Sequence, residues 1–104
     1  MMYQVFFYTP ESHLELIKQA MFAAGGGRIG HYEACAWQTA GQGRFRPMAG
    51  ATPFIGAVDA LEDVHEFRVE MVCEDARVKD VVAALRAAHP YEEPAFGVLR
   101  LEDV

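Results

Sequence analysis

Hydrophobic residues repeat along this chain with two different periods, and the period identifies the elements. An apolar and aromatic run at 2–8 predicts a first strand with both faces largely covered. Between 65 and 74, apolar side chains occupy alternate positions, which is typical of a strand with one face on a core. A final apolar run at 96–101 predicts the last strand.

Two other segments repeat apolar residues every three or four positions, as one face of a helix does. We predict a helix over 10–24, with Thr9 as its N-cap and Pro10 as its first residue. A second helix is predicted over 76–89, with Asp75 as its N-cap and a proline after its end. The predicted buried positions are Leu14, Ile17, Met21 and Ala24 in the first helix, and Val78, Val81, Val82, Leu85 and Ala88 in the second.

The segment between the first helix and the third strand is rich in glycine and proline. Residues 31–39 predict a strand, and Gly41-Gln42-Gly43 predicts a turn after it. Residues 45–55 predict an irregular excursion, with room for a short strand at 44–46. Loops of this length in compact domains usually contribute to function or to an interface.

The resulting order is strand, helix, strand, strand, helix, strand over a single domain, 1–104. This order is that of the ferredoxin-like βαββαβ sandwich, an α+β fold with two helices on one face of a four-stranded antiparallel sheet. The uncovered face would carry Tyr8, Trp37 and Arg68. An exposed face of this kind favours homo-oligomerisation.

The net charge and the composition of the chain disfavour several classes of partner and location. The formal net charge of −6 disfavours nucleic acid and anionic membranes as partners, because both require an excess of basic residues. No export signal or spanning apolar run is present, so we expect a cytoplasmic location. Cys35 and Cys73 form no zinc pattern and are expected to be reduced thiols.

The segment from His89 to Pro94 is the strongest candidate site, because it places an imidazole, a phenol and two carboxylates between two prolines. His89, Glu92 and Glu93 could bind a divalent metal ion. His89 with Glu92 could also act as an acid–base pair at a site between subunits. The alternative is structural: the segment ends the helix and its glutamates face solvent.

Three weaker patterns complete the candidates. Glycines at 41 and 43 next to Arg44 and Arg46 could bind an anion; alternatively the arginines pair with acidic residues. His31 lies two positions from Glu33 on one face of the predicted strand, so His31 could add a metal ligand. The letters Gly-x-Gly-x-x-Gly at 25–30 follow a helix instead of a strand, which favours a helix end over a dinucleotide site. No known nucleophile motif is present, and no cofactor is required.

The same residues resemble a known family along essentially the whole chain. The matching positions are Gly27, Gly30, Tyr32, Cys35, Gly41, Gly43, Phe45, Pro47, Gly50, Pro53, Gly56, Glu66 and the run 89–94. They stand as in the inserted domain of the YqfO, or Nif-three-like (NGG-interacting-factor-like), proteins. The resemblance implies a PII-like and CutA-like fold, a stand-alone form of the insert, and a trimer by analogy with PII and CutA.

In that family the module sits within a larger metal-binding domain that forms a ring, so a ring-forming relative is an implied partner. The leading hypothesis from the sequence is a non-enzymatic binding or assembly module. The rival hypotheses are a sensor of a divalent metal, small anion or nucleotide at an intersubunit cleft, and an enzyme with an intersubunit site.

Overall fold

The computed structural model describes residues 1–104 and contains four strands and two α-helices. The strands are β1 (Met2–Pro10), β2 (Trp37–Phe45), β3 (Glu62–Glu74) and β4 (Phe96–Arg100). The α-helices are α1 (Leu14–Ala23) and α2 (Val78–Ala88). A short 3₁₀ turn leads into each helix, at Glu11–His13 and at Asp75–Arg77.

The strands form one antiparallel sheet in the order β2-β3-β1-β4. Both helices pack on one face, where ten buried hydrophobic residues form a single cluster. The cluster consists of Val5, Phe7, Leu14, Ile17, Met21, Val69, Met71, Cys73, Val81 and Leu85. This confirms the predicted α+β ferredoxin-like architecture.

The predicted helix caps are wrong. Thr9 is still part of β1, where its buried hydroxyl donates to the carbonyl oxygen of Pro10 (2.9 Å), and Pro10 ends the strand. Asp75 lies inside the second 3₁₀ turn, and no side chain caps either helix. Each strand therefore continues into its helix through a tight 3₁₀ turn, without a side-chain cap. In the sequence, a single threonine or aspartate before the helix looks the same in both arrangements.

The second strand is displaced from its predicted position. Residues 31–36 belong to a loop that hydrogen-bonds to the exposed edge of β3 through Gly27 N–H and Val72 O (2.8 Å). Because this loop occupies the edge of β3 there, β2 begins only at Trp37. The predicted turn at 41–43 is consequently the middle of β2, paired with β3 residues 64–66.

The glycines at 25–30 end α1, as the structural alternative predicted. Gly25 and Gly27 have φ of 110° and 73°, values that side-chain-bearing residues rarely adopt. Their amides bond to Phe22 O and Val72 O, which turns the chain from α1 back to the sheet. Neither helix is long and apolar enough to cross a membrane.

Candidate functional site

A cavity of about 290 Å³ lies at the end of the sheet where β1 ends and β3 begins. It is lined by the face of the sheet without helices, by the excursion after β2 (residues 46–61) and by the connection from α2 to β4. Its lining residues are Tyr8, Arg44, Phe45, Pro47, Ala51, Pro53, Phe54, Ile55, Glu66, Tyr91, Glu92, Glu93 and Ala95. The two segments that the sequence indicated as separate candidate sites are thus brought together.

Three aromatic rings form one side of this cavity. The ring centroid of Tyr91 lies 6.0 Å from that of Phe45 and 6.4 Å from that of Phe54. Phe54 is held from outside by an edge-on contact with His13, at 5.4 Å between centroids. Rings at these separations attract one another and leave a rigid apolar wall.

Glu66 is a buried charged residue that lines the cavity, and sequence reasoning did not select it as a site residue. Glu66 is only 9% exposed, and the phenol of Tyr91 donates to its Oε2 (2.9 Å). Its Oε1 lies directly over the α-carbon of Gly43, where no β-carbon would fit. Burial, together with the bond to Glu66, raises the pKa of the Tyr91 phenol far above its ordinary value.

His89 is buried beside this cavity and uses both ring nitrogens within the chain. The amide of Tyr91 donates to Nδ1 (3.1 Å), so the proton is on Nε2, which donates to the carbonyl oxygen of Tyr8 (2.7 Å). Burial lowers the pKa of the imidazole, which favours its neutral form. His89 thereby fixes the end of α2 to β1 and shapes the loop that carries Tyr91.

The two predicted glutamate ligands have different surroundings. Glu92 accepts hydrogen bonds from the amide and the hydroxyl of Thr52, and these bonds lower the pKa of its carboxyl group. Glu92 therefore ties the excursion to the α2–β4 connection and is not hydrogen-bonded to His89. Glu93 lines the cavity and is exposed.

The remaining predicted metal ligand, His31, lies in the exposed loop before β2 and does not line the cavity. Its predicted partner Glu33 is in the same loop, so the two do not share a strand face. No group of three or more His, Cys, Asp or Glu side chains is placed to hold a metal ion within this single chain. Metal binding stays a prediction.

Arg44 and Arg46 have acidic partners within the chain. Arg44 donates through Nε to Asp63 Oδ1 (2.7 Å) and through Nη2 to Oδ2 (3.3 Å), and this pairing lowers the pKa of Asp63. Arg46 donates through Nη2 to Asp59 Oδ1 (3.3 Å). The glycines at 41 and 43, predicted to approach an anion, lie inside β2. Anion binding at these residues stays a prediction.

The sheet face opposite the helices, called here the open face, carries its own polar network. The Arg68 guanidinium lies over the ring of Phe6, 4.2 Å from its centroid. It also donates to Tyr8 Oη (2.6 Å) and Glu70 Oε1 (2.9 Å), while Gln4 donates to Glu70 Oε2 (3.0 Å). The strand register places Tyr8, Arg68 and Trp37 on one face, as predicted; Trp37 is exposed, whereas Tyr8 and Arg68 are half-buried.

The chain is similar to known proteins both in sequence and in structure. A GTP cyclohydrolase 1 type 2 homolog of Mycobacterium tuberculosis is 48% identical over 94 residues, and its Bacillus subtilis counterpart is 43% identical over 95. A solved Bacillus cereus protein related to NIF3 superposes with a TM-score of 0.84 at 34% identity over 98% of the chain. The chain is homologous to one segment of the Nif-three-like proteins. The resemblance stated from the sequence is thus confirmed, although no family model matches.

The chain spans about a quarter of these relatives: 25% and 26% of the two curated proteins and 26% of the Bacillus cereus chain. More distant structures share the fold alone. CutA from Archaeoglobus fulgidus superposes with a TM-score of 0.70 at 15% identity, over 100% of this chain and 87% of its own. The Bacillus subtilis GlnK–ATP complex gives 0.62 at 14% identity, over 93% and 78%. The predicted PII-like and CutA-like fold is confirmed.

Proposed function

We propose that this chain is a non-enzymatic binding and assembly module that forms a homo-oligomer through the open face of its sheet and the excursion after β2. The observation behind the proposal is the exposure of large apolar side chains around β2. Trp37, at the start of this edge strand, is 70% exposed, and Met48 in the excursion is 74% exposed. An unpaired edge strand beside such side chains favours pairing with another chain.

The surface area supports the same proposal. A compact monomer of this mass is expected to expose roughly 5,800 Å², whereas this chain exposes 6632 Å². The excess of about 800 Å² shows that the chain is less compact than a typical monomer of this mass. A second copy of the chain is the partner to test first for this extended surface.

Light scattering of the purified chain, combined with a charged substitution at the edge, tests this proposal. Trp37→Glu is expected to convert an oligomer into monomers, because a carboxylate would have to be buried in the interface. Leu16→Glu, at a 58% exposed position on the outer side of α1, is the matched control and is expected to leave the oligomer intact. A clean monomer for the unsubstituted chain at micromolar concentration would remove the assembly half of the proposal.

A second candidate function rests on the cavity: binding of a small ligand as a sensor, with the site completed at a subunit boundary. Relatives of the fold are named for divalent cation tolerance and for a complex with ATP, so these are the ligand classes to test first. Calorimetric titration with zinc, copper and ATP is the direct measurement. The absence of heat and of any thermal shift with all three would count against these classes.

The curated relatives carry a name that includes GTP cyclohydrolase, and an enzyme with an intersubunit site is the remaining alternative. Its proposed acid–base residue is His89, whose ring nitrogens both have partners within the chain. Turnover of GTP by the purified oligomer, lost in His89→Gln, would establish this alternative in place of the first proposal.

A further inference from the structure

The side chains that line the cavity carry more negative than positive charge. Glu66, Glu92 and Glu93 line it, against the single guanidinium of Arg44, which gives a formal balance of −2. The Arg44 charge is moreover shared with Asp63, outside the lining. A concave site with acidic walls concentrates cations and repels anions.

One carboxylate oxygen inside the cavity lacks a protein partner. Glu66 Oε2 accepts from Tyr91, whereas no group of the chain donates to Oε1. No completely buried side-chain oxygen lacks a partner, so Oε1 is reached by solvent, and Glu66 lines this cavity. A residue that is nine-tenths buried thus lines the cavity, and one of its two carboxylate oxygens has no donor within the chain.

The aromatic side of the cavity fits a flat group. Seven of the thirteen lining residues are hydrophobic, and the ring centroid of Tyr91 lies 6.0 Å from that of Phe45 and 6.4 Å from that of Phe54. Aromatic faces attract cations as well as other rings. At about 290 Å³ the cavity is near the lower end of the size range of small-molecule sites, roughly 300 Å³.

Building on the proposed small-ligand function of this cavity, we propose that its ligand is a planar organic cation. The amidinium, guanidinium or amine group of such a ligand donates to Glu66 Oε1, and its flat apolar part packs against Phe45, Phe54 and Tyr91. The Glu92–Thr52 bonds hold the excursion over the α2–β4 connection, so the aromatic wall is in place before the ligand arrives. The inference is specific in sign: it predicts that the cavity rejects small anions, so that among the ligands named for the small-ligand function ATP is expected to give no heat.

Three probes of one shape and different charge test the inference: benzamidine, benzamide and benzoate. Each is titrated into the ¹⁵N-labelled full chain while the amides of Gly43, Thr52 and Tyr91 are followed by NMR. We expect benzamidine to shift these amides at a concentration at least tenfold lower than benzamide requires, because a hydrogen bond between two charged groups is the stronger. Benzoate is expected to leave them unchanged.

Substitutions then locate the interaction. Glu66→Gln keeps the size of the side chain but removes the charge, and is expected to weaken benzamidine binding about tenfold with little effect on benzamide. Glu74→Gln removes one carboxylate at the far, exposed end of the same strand and is expected to leave both affinities unchanged. Phe54→Ala removes a half-exposed wall and is expected to weaken both neutral and cationic probes.

The outcomes separate the two levels of the proposal. If benzamide or benzoate shifts the cavity amides as strongly as benzamidine does, the cavity binds small molecules but the ligand class is wrong. If none of the three probes shifts them, the organic-cation inference is overturned, and the titrations with zinc, copper and ATP decide separately whether the cavity binds a small ligand. If Glu74→Gln weakens benzamidine as much as Glu66→Gln does, binding follows net charge alone and the assignment of Glu66 is overturned.

Discussion

The two faces of the sheet are built from alternate residues of the same strands, yet they have different contents. On the helix side, β1 contributes Val5 and Phe7, both with no exposed surface, to a cluster of aliphatic and aromatic residues. On the open face the neighbouring residues Phe6 and Tyr8 surround the Arg68 guanidinium, and Glu66 opens into the cavity. The helix-side face is filled by side chains of the chain itself, whereas the open face carries polar groups and borders the cavity.

This difference indicates where stability and function lie. The ten core residues on the helix side are at most 6% exposed, so their side chains contribute fully to folding. The open face has half-buried rings and charged groups, which fits the proposed interface and binding site. Substitutions on the helix side should therefore act on stability, and those on the open face on assembly and binding.

The largest expected effect comes from truncating the same kind of side chain on each face. Phe7→Ala is expected to lower the free energy of unfolding by about 3–5 kcal/mol, because it leaves a cavity in the closed core. Phe6→Ala, one residue away on the open face, is expected to cost less than half as much. Urea denaturation of both variants measures the difference; equal losses would contradict the distinction between the faces.

A glycine pair in β2 sharpens the comparison on the open face. A β-carbon at residue 43 would overlap the Glu66 carboxylate, whereas a β-carbon at residue 41 would meet nothing within 4 Å. Gly43→Ala is expected to displace Glu66 from Tyr91 and to cost about 1–2 kcal/mol, the penalty of losing a part-buried hydrogen bond. Both variants are compared in the same denaturation assay.

Gly41→Ala is the matched control for that substitution. It is expected to be neutral or stabilising by about 0.5 kcal/mol, because alanine reduces the freedom of the unfolded chain. A Gly43→Ala variant as stable as Gly41→Ala would mean that the Glu66 carboxylate is not confined over β2.

A smaller effect, confined to acid pH, is expected from His89, which connects the two faces. Its pKa is lowered by burial, with opposing contributions from its bond to Tyr8 and from Glu66. The unfolded chain therefore binds the proton more readily, so stability is lost as pH falls below the ordinary histidine value near 6.5. His89→Gln should flatten the dependence of unfolding free energy on pH between about 6.5 and 5.

The control for this pH dependence is His31→Gln, since His31 is exposed in the loop before β2. The slope of the unfolding free energy against pH is measured for this variant alongside His89→Gln. If both variants flatten the slope equally, the buried environment of His89 is not its cause.

The smallest expected effect is at the exposed ion pair of β2 and β3. Arg44→Gln removes both hydrogen bonds to Asp63, but the two side chains are well hydrated. Exposed pairs contribute little because water and salt screen them. The urea midpoint is expected to stay within measurement error; a clear loss would show that this pair is structural.

The centre of the helix-side core could be predicted from the sequence, but its margins could not. Five of the nine predicted helix positions are buried, whereas four are only partly buried: Ala24, Val78, Val82 and Ala88. The periodicity located Leu14, Ile17 and Met21 in α1, and these three residues are buried as predicted. The alternation in β3 placed Val69, Met71 and Cys73 on the same core, and all three are buried. Because a helix or a strand buries apolar side chains on one face, the spacing of apolar residues in the sequence repeats with the period of that element.

The candidate site could be predicted only in part. Two of its segments, the run 89–94 and the excursion at 45–55, were indicated, but their contact with each other and with Glu66 was not. The displaced β2 explains this: the predicted strand at 31–39 made residues 41–43 a turn, whereas Gly43 in fact lies in β2 against the Glu66 carboxylate. The register of β2 on β3 depends on the loop that bonds to β3 through Gly27. The residues of β2 alone give no sign of that loop.

The sequence by itself determined the order of elements and the side of each that faces the core, because both follow from local spacing of apolar residues. Only the tertiary structure decided the register of β2 on β3, the glycine beneath Glu66, and the meeting of Phe45, Phe54 and Tyr91. These contacts join residues far apart in the chain. Their energies depend on distances between elements, and no single segment encodes such a distance.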